Sequence, residues 1–314
     1  MYLPKMIDCT LNKKRILVTG SNGLLGQKLI GLLINQGHLE TWGTSRGANR
    51  LPYAEGYQYF SADLTIEAEV ENMLATVKPD ILIHTAAMTH VDICEKDKEG
   101  CWLSNVTAVE YLLKGCEKRQ IFLLHLSTDF VFDGQAGPYR EEDEPCPVNF
   151  YGWSKYAAEK LIQRSNIRWA IARTVLVYGV AHDMSRSNLI LWVKKSLQQG
   201  KNIQVVSDQF RTPTLAEDLA KGCLLIADQE AEGIFHLSGK DFLTPYEMAV
   251  ETARFYALNT ALLAETNAIS FKEPAQRPPR TGFVIDKAVD QLGFQPVSFA
   301  EGLSIMSQQL GDLQ

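Results

Sequence analysis

Hydrophobic and polar positions along the first half of the chain alternate in a way that predicts a strand–helix repeat. Arg15–Thr19 (R-I-L-V-T) is a short apolar run stopped by glycine, as expected for a strand buried on both faces of a parallel sheet. Leu24, Leu25, Leu29, Leu32 and Leu33 then recur at helical spacing within Gly23–Gln36. Further strands are predicted at Leu39–Ser45, Tyr57–Ser61, Asp80–Thr85, Gln120–Ser127 and Trp169–Val177. Helices are predicted at Ala68–Val77, closed by Pro79, at Ser104–Arg119 and at Tyr151–Arg164. Strands alternating with helices over short connections imply an α/β fold with a doubly wound parallel sheet.

After Gly179 the rhythm changes. Helices at Asn188–Gln199, Ala216–Ile226 and Pro245–Ala257 alternate with short strand-like pieces, Ile203–Val206 and Ile234–Ser238, in a stretch rich in proline. This pattern predicts a smaller C-terminal α/β lobe over the ends of the parallel strands. The expected division is 1–178, which also receives 213–238, against 179–314. The loop Asp133–Phe150 is acidic and proline-rich, and reads equally as a functional surface loop or a solvated connector.

Composition narrows the partners. At 46% hydrophobic and 22% charged residues, the 314-residue chain has the make-up of a soluble globular protein. A net charge of −6 and the lack of any Lys/Arg run give no footprint for nucleic acid. No apolar run approaches the length of a membrane span. Met1–Lys14 lacks the apolar core of a secretory signal and reads as a short extension or a start-site artefact. The six cysteines show no metal-type spacing, so they are expected to be reduced packing residues in a cytoplasmic protein with no metal site.

Four segments carry chemistry. In Thr19-Gly-Ser-Asn-Gly-Leu-Leu-Gly26, Gly20, Gly23 and Gly26 follow a strand and open a helix, where backbone N–H groups can meet a pyrophosphate. The end of the second strand reads Gly43-Thr44-Ser45-Arg46, without the acid that would hold a ribose 2′-hydroxyl. Ser45 and Arg46 suit a 2′-phosphate instead, which favours NADP, bound as NADPH, while leaving NAD open. Asp63, after the third strand, is a candidate acceptor for the adenine amino group. In Leu126-Ser-Thr-Asp-Phe-Val-Phe-Asp-Gly134, a hydroxyl from Ser127 or Thr128 lies where open α/β sheets place their ligands and can polarise a carbonyl. Finally, Tyr151 and Lys155 stand one helical turn apart, so the ammonium is expected to lower the phenol pKa and make Tyr151 a proton donor or acceptor.

Together these residues resemble the extended short-chain dehydrogenase/reductase superfamily, and within it the dTDP-4-dehydrorhamnose reductase family. The resemblance runs from Lys14 onward. It rests on the glycine motif, A-A-x-T-x-V-D-x-x-E at Ala86–Glu95 and S-T-D-x-V-F-D-G at Ser127–Gly134. It continues in P-x-N-x-Y-G-x-S-K at Pro147–Lys155, D-Q-F-x-x-P-T-x-x-x-D-L-A at Asp208–Ala220, and Arg277-Pro278. It implies a Rossmann-type cofactor domain, a sugar-nucleotide lobe, and reduction of a nucleotide-linked 4-keto-6-deoxy sugar, with a homodimer as a possible assembly. By this resemblance Thr128, Tyr151 and Lys155 are catalytic. Gly20, Asn22, Gly23, Leu24, Leu25, Gly26, Ser45, Arg46, Asp63, Leu64, Thr85, Ala86 and Ala87 would bind the cofactor with Tyr151 and Lys155. Thr89, Val91, Asp129, Phe130, Arg211 and Arg277 would face the substrate. His84 stands where the family has Asn and reads as a packed strand-end histidine; Met88 stands where an aromatic is common. Arg211 replaces a small residue and is expected to enter or border the sugar-nucleotide cleft. A nucleotide-sugar epimerase or dehydratase is the rival within the fold, though Phe130 after Asp129 disfavours the dehydratase. The other rival is a non-catalytic NADP-binding regulatory subunit, as in methionine adenosyltransferase.

Overall fold

The computed structural model describes residues 13–53, 55–183, 188–270 and 273–312, so all but the last two residues of the Met1–Lys14 extension lie outside the described residues. The first half runs β1 (Lys14–Thr19), α1 (Leu24–Leu33), β2 (Leu39–Ser45), β3 (Gln58–Ser61), α2 (Glu67–Val77), β4 (Ile81–His84), α3 (Val91–Lys96) and α4 (Lys98–Trp102). A π-helical turn (Leu103–Thr107) leads into α5 (Ala108–Arg119), β5 (Phe122–Thr128), α6 (Phe150–Gln163) and β6 (Trp169–Thr174). The second half adds β7 (Val177–Tyr178), α7 (Leu189–Gln198), β8 (Ile203–Val206), β9 (Thr214–Leu215) and α8 (Ala216–Gln229). It ends with β10 (Gly233–His236), α9 (Pro245–Phe255), β11 (Leu263–Thr266), α10 (Asp286–Leu292) and α11 (Phe299–Asp312). Among the described residues no helix is long and apolar enough to cross a membrane.

Seven parallel strands form the central sheet in the order β10-β6-β5-β4-β1-β2-β3. The chain leaves β1 on one side through β2 and β3 and returns on the other at β4. The topological switch point, where such sheets open a crevice, therefore lies between β1 and β4. Alternation along each strand sorts the core into two layers. Ile16, Val18, Ile81, Ile83 and Leu124 pack with Leu29, Ile30 and Leu33 of α1 and Leu219 and Ile226 of α8. Leu17, Leu82, Leu123 and Ile171 face the other way, onto Met73 and Leu74 of α2, Val109 and Leu112 of α5, and Ala158 and Ile162 of α6. Burial on both faces is why these strands read as unbroken apolar runs. Beyond the sheet, α7, α9 and α11 pack with the β8–β11 pair around smaller clusters, one centred on Val193, Val205 and Ala253, the other on Tyr178, Met248 and Phe299.

Three elements differ from the sequence expectation. The strand expected over Trp169–Val177 breaks after Thr174, where Leu176 adopts a φ of +37°. That turn sends β7 to pair with β9 and delivers Tyr178 to the cluster it forms with Met248 and Phe299. The helix expected over Ser104–Arg119 starts earlier, and the π-helical turn interrupts it. The loop after Asp133 is neither wholly exposed nor featureless: Tyr139 is buried and stacks on Phe132 at 4.1 Å, while Glu142–Glu144 stay exposed.

One polar contact locks α6 to the sheet. Glu159, fully buried, receives a bidentate pair of hydrogen bonds from Arg173 of β6, Nε to Oε1 at 3.0 Å and Nη2 to Oε2 at 2.7 Å. Removing one partner strands the other charge in the interior. Arg173→Leu is expected to lower unfolding free energy by about 3–5 kcal/mol in urea titration. A loss below about 1 kcal/mol, the range of exposed pairs, would show that the pair does not brace α6.

Candidate active site

The glycine turn lies at the switch point. Gly20 has a φ of +66°, and a Cβ there would lie 2.9 Å from both Ala86 N and Thr85 Oγ1. A Cβ on Gly26 would lie 2.3 Å from Gly20 O, so only glycine lets α1 start this close to β1. Gly23 caps α1 with backbone alone, and the helix has no acidic residue in its first turn. Its N–H groups and the positive end of its dipole are thus left to an external anion. Leu24 and Leu25 begin that turn, half-buried. Thr85 N donates to Thr19 Oγ1 at 3.2 Å and Thr85 Oγ1 to Thr19 O at 2.6 Å, which lays Thr85, Ala86 and Ala87 across the end of β1.

Asn22 is used as a brace. Its Nδ2 donates to Ala48 O at 3.0 Å, its Oδ1 accepts from Arg50 N at 2.9 Å, and its backbone N donates to Ser45 Oγ at 3.2 Å. Arg46 points outward with 75% of its side chain exposed, 3.9 Å from Asp63. Asp63 accepts from Thr65 N and Oγ1 at 2.9 and 2.7 Å. Burial pushes its carboxyl up, but those bonds and Arg46 outweigh it, and the net shift is downward. Leu64 beside it is buried. A depression of about 560 Å³ lined by Asn49, Arg50, Leu51, His182 and Asp183 opens next to this brace, away from Tyr151.

β5 ends at Thr128, whose Oγ1 accepts from Phe130 N at 3.2 Å and donates to Asp129 Oδ1 at 3.1 Å. Tyr151 is buried with Cys94 and Cys101 and meets Phe130 edge-on at 5.9 Å. Lys155, one turn on, is buried with Nζ 3.0 Å from His125 Nε2. The expected lowering of the phenol pKa does not occur. Burial pushes Tyr151 up, against the Thr128 hydroxyl and with Asp129 adding to the rise. Burial likewise drags Lys155 down to about 8, against Glu159 and Cys101. Both groups are desolvated, so each favours its neutral form.

Asp129, Arg211 and Arg277, read as substrate contacts, are spent inside the protein. Asp129 accepts from Thr281 and lies 3.7 Å from Arg211 Nε. Arg211, 5% exposed, donates to Phe210 O and Pro278 O at 2.7 Å and to Pro279 O at 3.2 Å. It does not enter the cleft through a free guanidinium; it braces the 277–281 segment against Asp129. Arg277 forms a bidentate pair with Asp92 at 2.7 and 2.6 Å. Phe130 stays half-buried, Thr89 is exposed, and Val91 opens α3.

Two residues escaped the sequence reading. Asn105, on the π-helical turn, holds Met88 N and O at 2.8 and 3.0 Å and Ser154 Oγ at 3.0 Å, clamping the Ala86–Met88 segment to α6. Nothing in a continuous helical register marks it. His125 was legible only as one polar residue inside F-L-L-H-L-S. His84 is packed as expected, with Nδ1 2.8 Å from Thr19 Oγ1.

The profile of the RmlD substrate binding domain matches residues 14–311. A probable low-salt glycan biosynthesis reductase, Agl14 of Haloferax volcanii, is 30% identical over 94% of this chain and 98% of its own. Methionine adenosyltransferase 2 subunit beta of Xenopus laevis is 33% identical over 87% of this chain and 80% of its own. The NADP complex of dTDP-4-dehydrorhamnose reductase from Bacillus anthracis superposes with a TM-score of 0.83 at 26% identity, covering 95% of this chain and 99% of that one.

Lys155 also predicts a pH dependence of stability. Its folded pKa near 8 lies below the ordinary 10.5, so between those values the unfolded chain binds more protons. Stability contributed by this group therefore rises with pH across that window, by roughly 3 kcal/mol at most. Chemical denaturation of wild type and Lys155→Met from pH 7 to 10.5 should show the rise in the wild type alone. Parallel curves would place Lys155 in a wetter setting than its burial indicates.

Proposed function

This chain belongs to the RmlD substrate binding domain family, the dTDP-4-dehydrorhamnose reductases of the extended short-chain dehydrogenases/reductases, and on that premise we propose an NADPH-preferring reductase of a nucleotide-linked 4-keto-6-deoxy sugar. The observation that carries the proposal is the Thr128 hydroxyl beside Tyr151 at the end of β5, with Lys155 buried one helical turn on. The residues present fit a dinucleotide: the cradle a Cβ would fill at Gly20 and Gly26, the uncapped start of α1, and an exposed Arg46. When bound, the dinucleotide supplies the hydride for the sugar carbonyl carbon. Tyr151 donates the proton to the carbonyl oxygen, and its raised pKa means that the phenol arrives protonated. Thr128 Oγ1 orients that oxygen, and Lys155, near 8, returns the proton to the phenolate. We place the sugar nucleotide between these residues and the part of the chain after Gly179 that packs outside the central sheet.

A second reading is supported by the 33% identity to methionine adenosyltransferase 2 subunit beta: a dinucleotide-binding regulatory subunit without turnover. The two separate on one mixture. Protein, NADPH and a dTDP-4-keto-6-deoxy sugar should lose absorbance at the nicotinamide band under the reductase reading; a flat trace, with NADPH binding intact, favours the regulatory one.

Tyr151→Phe should reduce turnover about 10²–10⁴-fold while NADPH affinity stays near that of the wild type. Activity within a few-fold of wild type would remove Tyr151 from the proton transfer. Arg46→Ala should narrow the preference for NADPH over NADH on the order of 10- to 100-fold, as read from both dissociation constants. An unchanged ratio would leave Arg46 an ordinary surface residue.

A further inference from the structure

The proton transfer described above leaves unused a polar row beneath Lys155. Thr19 on β1, His84 on β4 and His125 on β5 are register neighbours, on strand positions that continue the faces of Leu17, Leu82 and Leu123 toward α6. Lys155 Nζ lies 3.0 Å from His125 Nε2, the two imidazoles are 5.2 Å apart and tilted by 32°, and His84 Nδ1 lies 2.8 Å from Thr19 Oγ1. None of the four side chains is more than 3% exposed. An ammonium only donates, so His125 Nε2 accepts and its ring proton sits on Nδ1. Neither His125 Nδ1 nor His84 Nε2 has a hydrogen-bond partner among the described residues. Apolar side chains at positions 84 and 125 would continue the rows above and below and remove both unpaired ring nitrogens, but would take away the partner of Lys155 Nζ. Two imidazoles retained against that cost, at the point where a buried lysine meets the sheet, indicate a task at the lysine.

We propose that His125, backed by His84 and Thr19, is a positioning residue for Lys155: its Nε2 takes one of the three ammonium donors and holds Nζ at the level of Tyr151. The catalytic meaning of that position rests on the reductase reading. The groups facing Lys155 are Glu159 on its own helix, His125 on β5, His84 on β4 and Cys101 on α4, with Tyr151 one helical turn before it on α6. Glu159 is committed to Arg173, and both imidazoles are held neutral, His84 at about 3, by burial and by the lysine charge. His125 is thus a neutral acceptor that stabilises the ammonium against its own desolvation. Without it, Lys155 titrates lower still.

The test is a titration of protein carrying 13C at lysine Cε, with the Lys155 resonance assigned by its loss in Lys155→Arg. The wild type should show a midpoint near 8. In His125→Leu the midpoint should fall by about one unit or more, a tenfold loss of ammonium at a fixed pH. His125→Gln, whose amide oxygen can accept, should restore it. If His125→Leu does not fold, His125→Asn, polar but too short to reach Nζ, carries the same expectation. A folded His125→Leu or His125→Asn protein that titrates as wild type, or a His125→Gln protein shifted as far as His125→Leu, overturns the proposal. The titration needs no sugar nucleotide, so it decides the positioning role whether or not the reduction assay succeeds.

Discussion

The structure depends on how α6 docks against the sheet with three ionisable side chains turned inward. Tyr151, Lys155 and Glu159 are spaced by four residues, so each lies one turn below the last on the buried face. Burying polar groups is costly unless each finds a partner. Glu159 finds Arg173, Lys155 finds His125, and Tyr151 lies beside the hydroxyl of Thr128. These contacts come from two adjacent strands, β5 and β6, in fixed register. A shift of the helix by even one residue would leave all three groups unmet. The register of the candidate catalytic residues is therefore set by the same contacts that hold the helix down.

The second constraint is closeness at the switch point. Gly20 and Gly26 allow β1, α1 and the Thr85–Ala87 segment to approach within distances that a Cβ would forbid. Asn105, from the π-helical turn, holds the far end of that segment to α6 through Met88 and Ser154. The glycine turn and the tyrosine helix are in this way joined by one short stretch of backbone. From the second half of the chain, Arg211 and Thr281 reach Asp129 and fix the 277–281 segment at the end of β5. Arg211 and Asp129, both read as substrate contacts, are thereby the residues that tie the 277–281 segment to the end of β5.

The buried lysine also bears on what the chain does. A protein that only binds a dinucleotide needs the glycine turn and the start of α1. The lysine near 8 and the phenol pushed upward by burial are the features of this site that the proposed proton transfer would use. Proton transfer to a reduced carbonyl uses both, because the donor must arrive protonated and be reprotonated near neutral pH.

Local signals in the sequence determined a good deal. The parallel sheet was legible because strands buried on both faces must be apolar throughout, and the glycine motif because its spacing leaves few other uses. The placement of Tyr151 and Lys155 on one helix face followed from helical periodicity alone. Tertiary structure decided the rest. Helical spacing places two side chains on one face but does not say whether that face meets water, so the phenol and ammonium that should couple instead each respond to burial. The break at Leu176 depends on pairing with β9, which lies far along the chain. Arg211 and Arg277 looked like free cations because their partners, the carbonyls of Pro278 and Pro279 and the carboxylate of Asp92, are distant in sequence. His125 and His84 gain their setting only when β4 and β5 pair and α6 lays Lys155 across them. Desolvation and long-range pairing are properties of the packed chain, and no window of sequence contains them.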